Sequence, residues 1–189
     1  MKKLSTLKKS LVMALSVVSF SIASVSASQA APAMNEVTAV SQSKISLEQA
    51  MALANKAVKG DIISADFDQE DRNANSHYDI NIITNNNEQE VSVNANTGKI
   101  TKGDTERLDK EDLAEYKAMK QAKVSLSQAI KKANQTLKGK VLEVEFDIDF
   151  GKPVYKVEIG KGNQIHKVVV DCRTGKITRS QVSDVDRDD

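Results

Sequence analysis

The chain has 189 residues, with one cysteine, two histidines and no tryptophan. Its 27 lysines and arginines nearly balance 26 acidic residues, so charge gives no reason to expect a nucleic acid or an anionic membrane as a partner. A single cysteine excludes an intramolecular disulfide, and the fold must therefore be held by hydrophobic cores.

Residues 1–30 have the three parts of a secretory signal peptide. The basic start is followed by an apolar stretch over residues 11–22, too short for a stable membrane span; the basic residues are Lys2, Lys3, Lys8 and Lys9. Small residues then offer cleavage after Ala30, or alternatively after Ala27. We predict an exported protein, periplasmic or secreted, with no membrane span in its mature chain. An uncleaved N-terminal anchor is the alternative. No cysteine of the lipobox type follows the apolar stretch, so a lipid anchor is not expected.

Residues 31–43 are polar and are expected to form a flexible segment. After them, the chain contains one motif twice. Residues 44–50 (KISLEQA) match residues 123–129 (KVSLSQA) at an offset of 79, and the match continues to Phe67 and Phe146. A two-residue shortening then changes the offset to 77, and TGKIT closes both copies at residues 97–101 and 174–178. The duplication predicts two tandem modules, at residues 44–103 and 123–180.

Each module is predicted to open with an amphipathic helix. Ser46 and Gln49 have the spacing of a capping box, as do Ser125 and Gln128. Apolar residues follow at helical spacing; they are Leu47, Ala50, Met51, Ala54 and Val58, then Leu126, Ala129, Ile130, Ala133 and Leu137. Gly60 and Gly139 stand where a residue in the left-handed conformation would end each helix.

Three strands are predicted to follow, because apolar residues alternate with polar ones. The apolar positions in the first copy are Ile63, Ala65, Phe67, Tyr78, Ile80, Ile82, Val91, Val93 and Ala95; those in the second are Leu142, Val144, Phe146, Tyr155, Val157, Ile159, Val168, Val170 and Cys172. Thr97-Gly98-Lys99-Ile100 predicts a tight turn into a short last strand. The fold class is therefore α+β, with each helix packed on a small antiparallel sheet.

The two modules are separated by the highly charged residues 104–122, which predict a helical linker beginning near Asp109. Residues 181–189 form a polar, acidic tail that is expected to be mobile.

The repeated unit resembles the PepSY domain. The likeness lies in Ile45-Ser46-Leu47-x-x-Ala50, in Tyr78, and in the run from Val91 to Ile100; the second copy ends in the same way between Val168 and Ile177. In that family the last part typically reads Asp-Ala-x-Thr-Gly-Lys-Ile/Val. Asn94 replaces the usual Asp in the first copy, and Cys172 replaces the usual Ala in the second.

The resemblance implies an exported protein-binding module that regulates or inhibits a peptidase, because PepSY domains also occur in the propeptides of thermolysin-like metalloproteases. The chain itself has no His-Glu-x-x-His motif, and its two histidines, His77 and His166, lie in different copies. A peptidase or another extracytoplasmic protein is the expected partner. The alternative is a structural, ligand-sensing or metal-sensing envelope module without a peptidase partner. The oligomeric state is left open.

No catalytic, cofactor-binding or metal-binding residue is predicted, and no cofactor is expected. Two histidines and one cysteine leave little for acid–base or nucleophilic chemistry, and no Gly-x-Ser-x-Gly or phosphate-binding loop is present. The chain is therefore predicted not to be an enzyme. Cys172 shares the parity of Val168 and Val170, which favours a small buried residue over a redox-active one. His166 is interpreted as a solvated residue at the rim of the sheet.

Two acidic runs could bind calcium, namely Asp66, Asp68, Glu70 and Asp71, and Asp184, Asp186, Asp188 and Asp189. Neither has the glycine and distal glutamate of an EF-hand loop, so solvated charge is favoured. The Thr-Gly-Lys turns could contact a partner but are interpreted as strand closures. The expected binding mechanism is addition of an extended peptide at a free edge of a sheet. The sequence does not indicate which edge.

Overall fold

The computed structural model describes residues 35–69 and 76–183, so the predicted signal peptide and most of the acidic tail lie outside the described residues. In the first copy the elements are α1 (Glu36–Gln42), α2 (Leu47–Ala57), β1 (Asp61–Asp68), β2 (His77–Thr84), β3 (Asn87–Asn94) and β4 (Ile100–Arg107). In the second copy they are α3 (Lys110–Lys120), α4 (Leu126–Thr136), β5 (Lys140–Asp149), β6 (Lys152–Lys161), β7 (Gln164–Asp171) and β8 (Ile177–Val182).

All the strands belong to one eight-stranded antiparallel sheet, in the order β4-β3-β2-β1-β5-β6-β7-β8. The α+β class is confirmed, but the two small sheets expected from the repeat are joined edge to edge into one. The last strand is longer than expected in both copies. Strand β4 has eight residues and reaches Arg107, three residues past the predicted start of the linker, and β8 reaches Val182, two residues into the segment predicted to be a mobile tail. Residues 110–120 form a helix within the segment for which one was expected.

The two copies meet where β1 pairs with β5. Three residue pairs form this seam: Ser64 with Glu145, Ala65 with Val144, and Asp66 with Glu143. Ala65 and Val144 occupy equivalent positions in the two copies. Ser64 is likewise equivalent to Glu143, and Asp66 to Glu145, so exchanging the two copies turns one flanking pair into the other. A local two-fold axis therefore passes between Ala65 and Val144, perpendicular to the sheet.

Helices α2 and α4 pack on the same face of the sheet, as the two-fold axis requires. Each begins with the predicted capping box, in which Ser46 with Gln49, and Ser125 with Gln128, satisfy each other's backbone amides. Their buried residues join those of both sets of strands in one hydrophobic cluster. Edge-to-face ring pairs lie at matching places, Phe67 with Tyr78 and Phe146 with Tyr155. The two copies thus share one core.

The prediction that Ile63 shares a face with Ala65 and Phe67 is wrong. The pairing of β1 with β2 shifts between Ile62 and Ser64, and such a bulge reverses the alternation of side chains before it. Ile62 packs against the shared core instead. Ile63 lies with Ile83 and Leu108 in a second cluster that α3 covers through Leu113, Tyr116 and Met119.

Part of the segment expected to be flexible over residues 31–43 is helical. Asn35 caps α1 by accepting a hydrogen bond from the Thr38 amide, and Val37, Ala39 and Val40 are buried. Three apolar residues at helical spacing were enough to bury one side of this short helix. Residues 31–34 lie outside the described part of the chain.

Helices α1 and α3 extend the repeat upstream of the predicted modules. At the same offset of 79, residues 36–43 (EVTAVSQS) align with residues 115–122 (EYKAMKQA), so that Val37 corresponds to Tyr116. Val37 lies beside Leu142 and Gly160 of the second copy, whereas Tyr116 packs near Ile63 and Ile83 of the first. Leu142 is equivalent to Ile63 and Gly160 to Ile83, so the two helices occupy equivalent sites. Each copy therefore sends its first helix to the sheet of the other.

Gly60 and Gly139 do not end α2 and α4 in the left-handed conformation. Among the described glycines, the positive φ angles belong to Gly98, Gly151, Gly162 and Gly175. A Cβ atom on Gly60 or Gly139 would instead stand 2.4 Å from the carbonyl oxygen of the neighbouring strand, that of Ile83 or Gly160. Both positions require glycine because the backbone of the neighbouring strand passes too close to leave room for a side chain.

No helix in the described residues is sufficiently long and apolar to cross a lipid bilayer.

Because the core is shared, we expect Val144→Ala to weaken both copies together. Val144 is fully buried at the seam, and deleting two methyl groups there should lower the free energy of unfolding by about 2 kcal/mol. Chemical denaturation with hydrogen exchange should show one transition shifted equally for amides in both copies. Val182→Ala, at a residue that is 44% exposed, is the control. Separate transitions for the two copies would contradict the shared core.

Candidate functional site

The face of the sheet opposite α2 and α4, here called the polar face, carries most of the buried and half-buried charge. Strand pairing places on it Asp66, Asp68, His77, Asp79 and Glu90 from the first copy, and Glu143, Glu145, Asp147, Lys156, Glu158 and Lys167 from the second. It is continuous across the seam, so the two copies form one surface.

The second copy balances much of its negative charge on this face. Lys156 forms ion pairs with Asp147 and, at 3.3 Å, with Glu145, and Lys167 pairs with Glu158 at 2.9 Å. Only 1% of the Asp147 side chain is exposed, so its carboxylate requires a partner of this kind.

The first copy has acids where the second has these lysines. In the 77-residue register, Asp79 corresponds to Lys156 and Glu90 to Lys167. His77 Nε2 lies 3.2 Å from Asp79 Oδ2, and the Ser92 hydroxyl donates a 2.6 Å hydrogen bond to the same carboxylate. Burial opposes ionisation of Asp79, but these two contacts outweigh it and lower its pKa. Burial, followed by the charges of Asp79, Asp68 and Glu90, raises the pKa of Asp66 to about 7.

Like charges also face each other across the seam, where Asp66 pairs with Glu143. Burial raises the pKa of Glu143 to about 8, with further contributions from Glu158, Glu145 and Asp66 and an opposing one from Lys167. The polar face therefore holds at least two carboxyl groups whose protonation changes near neutral pH. The sequence contained these acids, but no signal in it placed Asp66 against Glu143.

The sheet has two free edges, formed by β4 and β8, because the inner edges are used in the seam. Nearly all residues of both strands are exposed. An edge strand leaves one row of backbone amides and carbonyls without a neighbouring strand, which is the feature that accepts an added peptide.

The Thr-Gly-Lys turns have the structural role predicted for them. Asp171 Oδ1 accepts hydrogen bonds from the backbone amides of Arg173 and Thr174 and from the Thr174 hydroxyl. Asn94 Oδ1 makes the same three contacts in the first copy, so the Asn that departs from the family pattern keeps the turn. Gly98 and Gly175 adopt φ angles of 70° and 68°.

The candidate nucleophile predicted to be buried is buried. Cys172 is 0% exposed within the shared core, and burial raises the pKa of its thiol to about 12, which leaves it un-ionised at neutral pH. His166 is half-buried and pairs with Ile159 on β6. It is separated in the sheet from His77, which lies on β2.

Of the two acidic runs, the structure places only Asp66 and Asp68, both on the polar face. Glu70 and Asp71 lie outside the described residues, as do Asp184, Asp186, Asp188 and Asp189. Asp68 lies instead with His77 and Asp79, and ligand atoms of all three fall within 4.8 Å of one another. The spacing in sequence could not reveal this group, because it depends on the register of β1 and β2.

Residues 44–104 and 123–181 each match the family described as PepSY, "Peptidase propeptide and YPEB domain". The chain belongs to the PepSY family. The two matched segments confirm the tandem arrangement that the duplication predicts.

A solved structure of a candidate lipoprotein from Clostridium difficile 630 resembles this PepSY protein at 23% identity and a TM-score of 0.49. The likeness covers 79% of this chain and 100% of that one. Among curated proteins, none matches the sequence. The family assignment rests on the two matched segments.

We expect Glu143→Gln to stabilise the protein at alkaline pH. Because the folded-state pKa of Glu143 lies above its usual value near 4.5, folding retains its proton, and this contribution to stability is lost as pH rises through about 8. A glutamine does not titrate. Denaturant unfolding should therefore show similar stability at pH 5 and a gain of about 2 kcal/mol for the variant at pH 9. Glu48→Gln on the exposed side of α2 is the control, and an equal gain at pH 5 would contradict the assignment.

Proposed function

We propose that this PepSY protein is a non-enzymatic, extracytoplasmic binding module that regulates a peptidase by inhibiting it. The family description, which names the peptidase propeptide, supports a peptidase as the partner. The signal-like sequence of residues 1–30 supports export. The burial of Cys172 and the separation of the two histidines support a role without catalysis.

The free edge at β8 is the observation that carries the proposed mechanism. Strand β4 carries four charges, namely Lys102, Asp104, Glu106 and Arg107, and charges on an edge strand oppose pairing with another chain. Strand β8 has the sequence ITRSQV, with Arg179 as its one charged residue, and Arg179 is held by Asp149 at 3.1 Å. An extended segment of the peptidase therefore adds to β8 in preference to β4.

Backbone geometry identifies the amides that such a segment would use. The Ser183 amide donates to the Ile165 carbonyl on β7 at 2.7 Å. Since amides alternate in direction along an antiparallel strand, those of Ser180 and Val182 point away from the sheet. These two donors, with the carbonyls of the same residues, form the binding row.

The function can be tested by using the protein as bait in an extracytoplasmic extract. The proteins that bind are then assayed for peptidase activity in its presence and absence. The proposal expects a peptidase that is slowed by stoichiometric amounts of the PepSY protein. Recovery of proteins that include no peptidase, or of peptidases whose rates stay unchanged, would reject regulation of a peptidase.

Ser180→Pro tests the edge. Proline removes the outward amide of Ser180 while leaving the inward bonds of β8 intact, so inhibition of the captured peptidase should weaken about tenfold or more. Arg107→Pro is the matched control on β4, because the Leu108 amide points inward to Asn86 and that of Arg107 therefore points outward. If Arg107→Pro abolishes inhibition and Ser180→Pro does not, the edge is β4. Circular dichroism should confirm that both variants are folded.

A second candidate function is an envelope module that senses a metal without a peptidase partner. The difference in charge between the two halves of the polar face favours this candidate.

A further inference from the structure

In the second copy (copy 2), a lysine ammonium group occupies a defined place on the polar face; the first copy is called copy 1. The ammonium group of Lys156 lies between the carboxylates of Asp147 and Glu145, and 13% of its side chain is exposed. The positions equivalent to Asp147 and Glu145 in copy 1 are Asp68 and Asp66. Both carboxylates are thus repeated in copy 1, and the difference between the copies lies in the group that faces them.

In copy 1, the position of this lysine and the position two residues before it are occupied by residue types that commonly bind metals. Asp79 corresponds to Lys156, and His77 corresponds to Val154. One substitution exchanges a positive charge for a negative one, and the other exchanges an apolar side chain for an imidazole. The exchange at Glu90, which corresponds to Lys167, adds a further negative charge beside them.

The side chains in copy 1 are also close enough to share one ion. A ligand atom from each of Asp68, His77 and Asp79 lies within 4.8 Å of the others, a separation that two ligands of one metal ion at about 2.1 Å each can have after small side-chain adjustments. His77 and Asp79 are 18% and 15% exposed, so a cation can reach them from solvent. The Ser92 hydroxyl fixes the Asp79 carboxylate through its 2.6 Å hydrogen bond, as partners of metal ligands commonly do.

We propose that Asp68, His77 and Asp79 bind a divalent transition-metal cation at the place where copy 2 holds the Lys156 ammonium. Asp66, which pairs with Asp79 across the strands, lies next to the ion. A mixed set of imidazole nitrogen and carboxylate oxygens suits Zn²⁺ or Mn²⁺, whereas Ca²⁺ and Mg²⁺ take oxygen ligands. This site departs from the sequence interpretation of Asp66 and Asp68 as solvated charge. It does not depend on the proposed regulation of a peptidase.

Isothermal titration calorimetry of the untagged, chelator-treated protein with Zn²⁺ tests the site. The proposal expects one site, and His77→Gln should weaken its affinity about tenfold or more. His166→Gln, which removes the chain's other histidine, should leave the affinity unchanged. Asp79→Lys transplants the copy-2 lysine and should abolish Zn²⁺ binding, while the melting temperature of the metal-free protein stays equal or rises because the new ammonium faces Asp66 and Asp68.

Nuclear magnetic resonance provides a second measurement that does not require a variant to fold. Addition of one equivalent of Zn²⁺ should shift the imidazole signals of His77 and leave those of His166 in place. Equal affinity in the wild-type and His77→Gln proteins, an effect confined to His166, or Ca²⁺ binding as tight as Zn²⁺ binding would each overturn the proposal.

Discussion

The pairing of β1 with β5 is the contact on which the rest of the architecture depends. It consists of three residue pairs, yet it converts two four-stranded sheets into one and places α2 and α4 side by side on one face. Without it, each copy would expose an inner edge strand and part of a small core, an arrangement that is marginal for a unit of about 60 residues. The exchange of α1 and α3 between the copies follows from the same axis, since each helix reaches the sheet that the seam brings beside it.

The seam is favoured on one face and opposed on the other. Ala65 and Val144 are fully buried on the side of the helices, where removal from water is favourable. On the opposite side, Asp66 faces Glu143, and burial without full compensation makes both carboxyl groups hard to ionise. These two carboxyl groups therefore destabilise the centre of the sheet electrostatically. Native proteins retain such destabilising groups where the surface that carries them has a function besides stability.

Much of the local structure could be predicted from the sequence, because it depends on residues close together in the chain. The capping boxes at Ser46 and Ser125, the alternation around Tyr78 and Tyr155, and the turns at Gly98 and Gly175 are all of this kind. The bulge beside Ile63 was missed because it depends on how β1 aligns with β2. The helix at residues 36–42 had a signal, since Glu36, Ala39 and Gln42 are repeated at Glu115, Ala118 and Gln121, but a match of this length is visible only once the repeat's offset is extended upstream.

The candidate site was less accessible to sequence reasoning, because its features arise from register between strands. The group of Asp68, His77 and Asp79 depends on the pairing of β1 with β2, and the exchange of Lys156 for Asp79 has meaning only when both are known to lie on the same face. The edges likewise depend on the seam: four strands are edge strands if the copies are separate, and two if they are joined.

The order of the strands also sets the distance between the two free edges. Seven interstrand spacings of about 4.8 Å separate β4 from β8, or roughly 34 Å. A fully extended chain needs about ten residues to cover that distance, in addition to the residues that pair at each edge. One short peptide can therefore occupy one edge only. Simultaneous occupation of both requires two separate molecules, or a partner with two extended segments held apart by a span comparable to the width of the sheet, and the protein is in this geometric sense a divalent scaffold.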